Sequence, residues 1–432
     1  MSTIILGAGV TGLAAASVSG AAAYEATDSP GGICSSYYVR PGDSTRLSAA
    51  PTDGEAYRFE IGGGHWLFGG SEVVLEYLAR LAPLRRYDRR SSVFFPAESR
   101  YVAYPLQNHL AALGPDVAST ALAEMALPAR PTRTMRDWLL VNFGPTLSEL
   151  FFLPFHELYT AGLFDRIAPQ DAYKSPVDFR LAARGALGHS SAVGYNTSFA
   201  YPVDGLDGLA RRMAAKSTVH YAKRATHIDT HARRVRFSDG SEVSYDTLLS
   251  TLPLNQTLAM TGLTINSEPD PFTSVLVLNI GARRGSRCPL DHWLYLARTG
   301  AGFHRVGFYD NVDVAFLPRS ARERHDRTSI YAERAYVGGK KPTPEEIRDY
   351  AAQVTRELQT WEFIGATEVV DPTWIDVAYT WSWPGSGWAR QATSALASVG
   401  VFSVGRYGRW VFQGIAESIA EGFTAGSAFG IR

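Results

Sequence analysis

Residues 3–16 read Thr3-Ile4-Ile5-Leu6-Gly7-Ala8-Gly9-Val10-Thr11-Gly12-Leu13-Ala14-Ala15-Ala16, and Ala21–Tyr24 lead on to Glu25. The first four residues form the short β-branched run of a buried parallel strand. Gly7-x-Gly9-x-x-Gly12 then opens an Ala-rich helix of two to three turns, and a second short strand ends at an acid. This is the context that gives the glycine spacing its meaning. Gly7 permits the turn, Gly9 lets a pyrophosphate approach the backbone, and Gly12 lets the helix lie on the sheet. The free N–H groups of the helix start, at Val10 and Thr11, face the phosphates. Glu25, next to Ala26, can accept hydrogen bonds from a ribose diol; the competing reading is a solvated turn carboxylate.

Working outward, Asp28-Ser29-Pro30-Gly31-Gly32 supplies a second close backbone approach just past the acidic strand. A nicotinamide dinucleotide has no need of it, whereas a larger dinucleotide does. Tyr57–Ile61 reads as a strand running into Gly62-Gly63-Gly64-His65-Trp66, where bare backbone packs against something flat or bulky. At the opposite end of the chain, residues 399–404 form a strand that enters Gly405-Arg406-Tyr407-Gly408. Gln413-Gly414-Ile415 then begins an Ala/Gly-spaced helix. A second helix start offers free N–H groups that can stabilise negative charge on a reduced isoalloxazine, so FAD is the expected cofactor.

Between these ends, residues 72–84, 117–125, 134–143 and 145–153 carry helical apolar spacing, with Thr134 and Asp137 placed as a capping box. Strands are expected at 218–221, 226–230, 233–237 and 246–251, then at 273–281, 292–297, 303–309 and 329–336. Thr343-Pro344-Glu345-Glu346 starts a helix over 343–360. The expected fold is α/β, a Rossmann-type FAD-binding domain with an inserted mixed helical and β-sheet substrate domain. Its parts are 1–103, 205–262 and 395–432 for the FAD-binding domain, 104–204 for the helix-rich part of the substrate domain and 263–394 for its sheet.

The 432 residues contain 42 basic and 42 acidic side chains, and 45% are apolar. Zero net charge gives no field that gathers nucleic acid or an anionic membrane, and neither is an expected partner. The five lysines (174, 216, 223, 340, 341) leave 37 arginines among the 42 basic residues. Codon bias explains such a ratio; bidentate anion recognition is the sharper cause. Two cysteines, Cys34 and Cys288, suit neither a disulfide framework nor a thiolate metal site, and a reducing cytoplasm fits. No metal-ligand spacing and no serine-hydrolase elbow occurs. The N-terminal apolar run lacks a basic flank and is broken by glycines, unlike a secretory signal. The sequence fixes no oligomeric state.

The motifs GAGVTGLAAA, EATDSPGGICS, GGGHWLFG, YPLQNHL, FFLPFHELY, FHRVGFYDN and GRYGRWVFQGI occur in this order over nearly the whole chain. Together they resemble the flavin-dependent UDP-galactopyranose mutases, especially the longer type, within the flavin amine oxidase superfamily. The resemblance implies a pyranose–furanose isomerisation without net redox change, in which N5 of the reduced flavin takes the anomeric carbon and a nucleoside diphosphate leaves. NADPH or NADH are the candidate reductants. It assigns Arg305, and with a small insertion Arg180, to the diphosphate, and His65 to the neighbourhood of flavin N5. Gly63, Gly64 and Arg406, with the glycine elements above, fall at cofactor positions. Tyr104, Gln107, Asn108 and His156 fall at nucleotide-facing positions, and Asn196 and Trp293 at sugar-facing ones.

Two departures stand out. Family tyrosines that hydrogen-bond the diphosphate fall on Trp383 and Phe412, which carry no phenolic donor. The Pro-Tyr-Asn run that faces the base reads Pro154-Phe155-His156. Two expectations follow: a mutase acting on a nucleotide sugar other than UDP-galactose, or an FAD-dependent oxidoreductase acting on a small glycosylated or aromatic molecule.

Overall fold

The computed structural model describes residues 2–170, 177–189 and 197–430. Thr3–Leu6, Val10–Ser19 and Ala22–Tyr24 form the expected strand, helix and strand. They belong to a five-stranded parallel sheet whose order is Val401–Ser403, Thr247–Ser250, Thr3–Leu6, Ala22–Tyr24, Val219–His220. Three distant stretches of chain therefore share one sheet. The C-terminal helix Ile415–Phe429 lies directly on Val10–Ser19. The contact is so close that a Cβ on Gly422 would stand 2.4 Å from the Thr11 carbonyl oxygen, and one on Gly426 2.3 Å from that of Ala15.

A second, seven-stranded sheet runs Ile364–Thr380, Phe272–Arg284, Arg327–Val337, Arg305–Phe308, Trp293–Leu296, Ser91–Phe95, Arg100–Ala103. Its pairs are antiparallel except the one between Trp293–Leu296 and Ser91–Phe95. The helix Pro344–Thr360, closed by a Thr343–Glu346 capping box, packs Tyr350, Val354 and Leu358 with Leu276, Leu278 and Ile280 of this sheet. The strands Ser91–Phe95, Arg100–Ala103 and Ile364–Thr380 lie outside the sequence-read elements. Leu84–Asp88 ends the helix expected over 72–84 at Leu81, because it pairs with Ser198–Pro202.

The middle of the chain is helical. Met135–Leu147 starts at the capping box of Thr134 and Asp137, breaks at Gly144 (φ +72°) before Pro145, and continues through a π-helical turn, Ser148–Phe152, into Leu153–Tyr159. The wider turn presents Phe151, Phe155, His156 and Tyr159 to the interior. Among the described residues no helix is long and apolar enough to cross a membrane. The fold is a mixed α/β architecture in which a five-stranded parallel sheet adjoins a seven-stranded, mainly antiparallel one.

Candidate functional site

A cavity of about 800 Å³ lies where the parallel sheet meets the larger sheet and the helices. One end sits at the carboxyl ends of the parallel strands, lined by Gly7, Gly9, Val10, Thr11, Glu25, Gly31, Gly32 and Thr251. Ligands in open α/β sheets settle at this position. The other end is bounded by Tyr104, Phe155, His156, Trp293, Arg305, Glu333 and Tyr379.

The first end is built by close backbone approach. Gly7 adopts φ +94° with Thr251 Oγ1 2.4 Å from where a Cβ would sit, and a Cβ on Gly12 would stand 2.0 Å from the Gly7 carbonyl oxygen. Gly9 caps Val10–Ser19 without any side-chain hydrogen bond, so the N–H groups of the first turn are not taken by a capping side chain. Glu25 is buried. Its carboxylate accepts from the Ala8 N–H at 2.8 Å and from the Thr27 N–H at 3.0 Å and Oγ1 at 2.9 Å, so it is not a solvated turn residue. The C-terminal turn closes on the same region: Arg406, Phe412, Gln413, Gly414 and Ile415 line the cavity. Arg406 donates to the carbonyls of Gln413 and Ala378, both at 3.1 Å, and its guanidinium lies 4.5 Å from the Phe412 ring centre.

Each of the three glycines at 62–64 packs against a bulky neighbour. A Cβ on Gly62 would strike the His65 ring, one on Gly63 would lie 2.6 Å from Glu333 Oε1, and one on Gly64 would lie 2.1 Å from the Tyr331 hydroxyl. Burial first, then the charges of Arg406 and Arg305, push His65 down to about 4, so its imidazole is neutral at neutral pH. Arg305 binds Glu333 through two nitrogens, Nε to Oε2 at 3.0 Å and Nη2 to Oε1 and Oε2 at 2.6 Å. His65 Nδ1, Trp66 Nε1 and Trp293 Nε1 are buried on residues lining this space and have no hydrogen-bond partner among the described residues. Orphaned donors and acceptors around a glycine-built cradle fit a large polar cofactor and its substrate.

Several expected residues stand elsewhere. Gly12 lies beneath the cradle, and Gly63 and Gly405 support it from behind; a Cβ on Gly405 would lie 2.7 Å from Thr11 Oγ1. Ala26 is half-buried outside the lining. Gln107 and Asn108 are buried in the turn Leu106–Asn108 after the cis Tyr104–Pro105 bond, set back from the cavity. Arg180 is exposed in the first turn of Phe179–Ala186, the helix that Asp178 caps, and is not among the described residues that line the cavity. Asn196 lies outside the described residues. Trp383 is turned away, its indole donating to the Pro269 carbonyl at 3.0 Å and its ring lying under Arg166.

Tyr379, four residues earlier on the strand Ile364–Thr380, lines the cavity instead, so a phenol is present there after all. Burial pushes its hydroxyl up to about 12, keeping it a donor. Sequence reasoning also passed over Glu333 and Arg89. Glu333 is set opposite Arg305 by sheet register. Arg89 lines the cavity and donates to the Tyr104 carbonyl at 3.0 Å. Alternation does not mark Glu333, because Arg327–Val337 is buried on both faces from Thr328 to Glu333, and no sequence signal gives its partner.

The family model for flavin containing amine oxidoreductase matches residues 22–428. A crystal structure of reduced UDP-galactopyranose mutase superposes with a TM-score of 0.82 at 21% identity, over 98% of this chain and 94% of that one. A protein named as a protoporphyrinogen oxidase from Exiguobacterium sp. 255-15 gives 0.69 at 14% identity, over 99% and 98% of the two chains. Putrescine oxidase with bound putrescine gives 0.57 at 16% identity, again over 99% and 98%. At these identities the likeness is one of fold. No curated protein matches.

Proposed function

The chain belongs to the flavin containing amine oxidoreductase family, and from that premise we propose that it is an FAD-dependent enzyme that interconverts the pyranose and furanose forms of a nucleotide sugar other than UDP-galactose. In this reading FAD lies along the glycine cradle, with its ribose at Glu25, its pyrophosphate at the first turn of Val10–Ser19 and its isoalloxazine between the Gly62–His65 loop and Gln413–Ile415. When bound and reduced, it supplies the nucleophile that allows ring exchange without net oxidation. NADPH or NADH would reduce it.

The isomerisation breaks the bond from the anomeric carbon to one ring oxygen and makes the bond to another hydroxyl, with one proton passing between the two oxygens. This chain's part is to bind, orient and shield. Arg305 and Tyr379 are assigned to the diphosphate oxygens, Trp293 to the sugar, and Tyr104 and His156 to the nucleotide. Neutral His65 adds no positive charge of its own beside the reacting carbon. The observation that supports the reading is the placement of Arg305, a guanidinium whose Nη1 is not taken by Glu333, in the same cavity as the glycine cradle. Phe412 and His156 set the substrate apart from UDP-galactose, since neither offers the group found at that position in the family.

The test is a titration of dithionite-reduced holoenzyme with UDP, GDP and dTDP sugars, followed by stopped-flow absorbance and product analysis. Turnover of a sugar nucleotide by reduced but not air-oxidised enzyme is the expected result. A second reading, oxidation of a small aromatic or glycosylated molecule, is favoured by the aromatic lining from Phe151, Phe155, Tyr159 and Tyr295. It predicts hydrogen peroxide release on substrate addition without prior reduction, and that result would replace the first reading.

A further inference from the structure

Arg305 and Glu333 face each other directly in the register of two antiparallel strands. Glu333 takes Nε and Nη2 of the guanidinium, and among the described residues only Nη1 makes no hydrogen bond to protein. The carboxylate is itself fixed. Its side chain is 2% exposed against 19% for Arg305. Gly63 leaves room for Oε1 by lacking a Cβ, His304 Nε2 stands 3.7 Å from Oε2, and Val277 is its register partner on the far side. The pair is therefore formally neutral before any ligand arrives, and Gly63, His304 and Val277 hold Glu333 beside Arg305 at the cavity wall.

This has a consequence for a reversible reaction. A diphosphate freed from its sugar carries one more negative charge than the ester, because the bonding electron pair leaves on its oxygen. A bare, fully forked guanidinium would hold the freed anion more tightly than the ester, and would hinder the return that isomerisation requires. Over-stabilising the separated anion deepens that state and raises the barrier to return, whereas interactions strongest in the transition state speed both directions. We propose that Glu333 is a positioning residue that restricts Arg305 to one contacting edge and weakens its hold on the separated anion. The proposal rests on the nucleotide-sugar reading of this cavity.

The experiment measures binding by calorimetry on FAD-loaded wild type, Glu333→Gln, Glu333→Asp, Arg305→Ala and the Glu333→Gln/Arg305→Ala double variant, with UDP, GDP and dTDP as titrants. Removing a carboxylate in direct contact with the cation should tighten nucleoside diphosphate binding about tenfold or more in the Gln variant, with a steeper loss at high salt. The Asp variant, whose shorter arm loosens the pair, should fall between. The double variant should show no gain, and kcat and KM of the Gln variant should fall together.

Unchanged or weaker binding in a folded Gln variant overturns the proposal, since a merely structural glutamate would give that result. If the Gln variant does not load flavin, the Asp variant decides by the same criterion. If wild type binds none of the three diphosphates, the nucleotide-sugar reading fails on its own. Inorganic pyrophosphate titrated into the same variants then decides Glu333, with equal or weaker binding in the variants overturning it.

Discussion

Gly12→Ala tests the cradle from its least forgiving point. The added methyl would stand 2.0 Å from the Gly7 carbonyl oxygen, 3.1 Å from the Gly7 carbonyl carbon and 3.4 Å from Ile5 Cγ2. Two of these atoms are backbone of the turn itself, so no rotamer change relieves the contact. The start of Val10–Ser19 must retreat from the strand by about 1 Å or more, and overpacking of this kind costs roughly 1–3 kcal/mol of stability. The same shift carries the first-turn N–H groups away from the pyrophosphate position. Losing good geometry in two charge-assisted hydrogen bonds, each worth about 1.5–3 kcal/mol, should weaken FAD at least about a hundredfold.

Gly20→Ala is the matched control. Gly20 also lies at positive φ, +71°, but a Cβ there meets nothing within 4 Å. It should lose about 1 kcal/mol from left-handed strain and keep its flavin. The assay is visible flavin absorbance per protein after gel filtration, together with Tm and a flavin titration of apoprotein. A Gly12→Ala protein that binds FAD within about twofold of wild type would refute the cradle, because the steric argument leaves the helix no room to stay in place.

Four further outcomes follow. Arg305→Ala should abolish turnover and, by leaving Glu333 buried and unpaired, cost about 3–5 kcal/mol in denaturant unfolding; adding Glu333→Ala should recover much of that stability without recovering activity. Arg180→Ala should leave kcat and KM within about twofold of wild type, since exposed side chains distant from a site rarely change more, and a large loss in steady-state kinetics would return Arg180 to the site. Glu60, which accepts from Ser36 at 2.9 Å and from the Tyr201 hydroxyl, is pushed by burial from 4.5 up to about 8. The folded state thus holds this proton, its contribution is full below 4.5 and lost as pH rises through about 8; Glu60→Gln should raise Tm at pH 9 and change it little at pH 5. His65 has the opposite sign: folded, it sits near 4 against an ordinary 6.5, so stability falls as pH drops between those values. The loss is roughly 3 kcal/mol, and His65→Gln should flatten this acid slope in urea unfolding measured over that range.

Much of the molecule was legible in the sequence because its signals are local. The glycine spacing at 7, 9 and 12, the strand and acid that follow, the capping box at Thr134 and the proline and acids after Thr343 are set by backbone sterics and hydrogen bonds within a few residues. The expected helices at 117–125 and 343–360 appear for the same reason. The long strand Ile364–Thr380 was not legible. Its alternation is broken where bulges shift its pairing with Phe272–Arg284, and its inward face is defined only by that neighbour. Likewise Trp383 and Tyr379 are both aromatic residues of odd number near one strand end, and only the path of the chain after Thr380 turns one outward and leaves the other in the cavity.

By itself the sequence determined the turn that can cradle a pyrophosphate and the helix starts at both ends of the chain, because each follows from residue type and near-neighbour spacing; Arg305 stands out only through the resemblance of its motif to a known family. Tertiary structure alone decided that the C-terminal helix lies on the first one, that Arg180 stays in solvent, and that Glu333 stands across from Arg305. Those outcomes depend on sheet register and helix docking between segments tens to hundreds of residues apart, where the balance of many buried contacts, rather than any short run of residues, fixes which side chains meet.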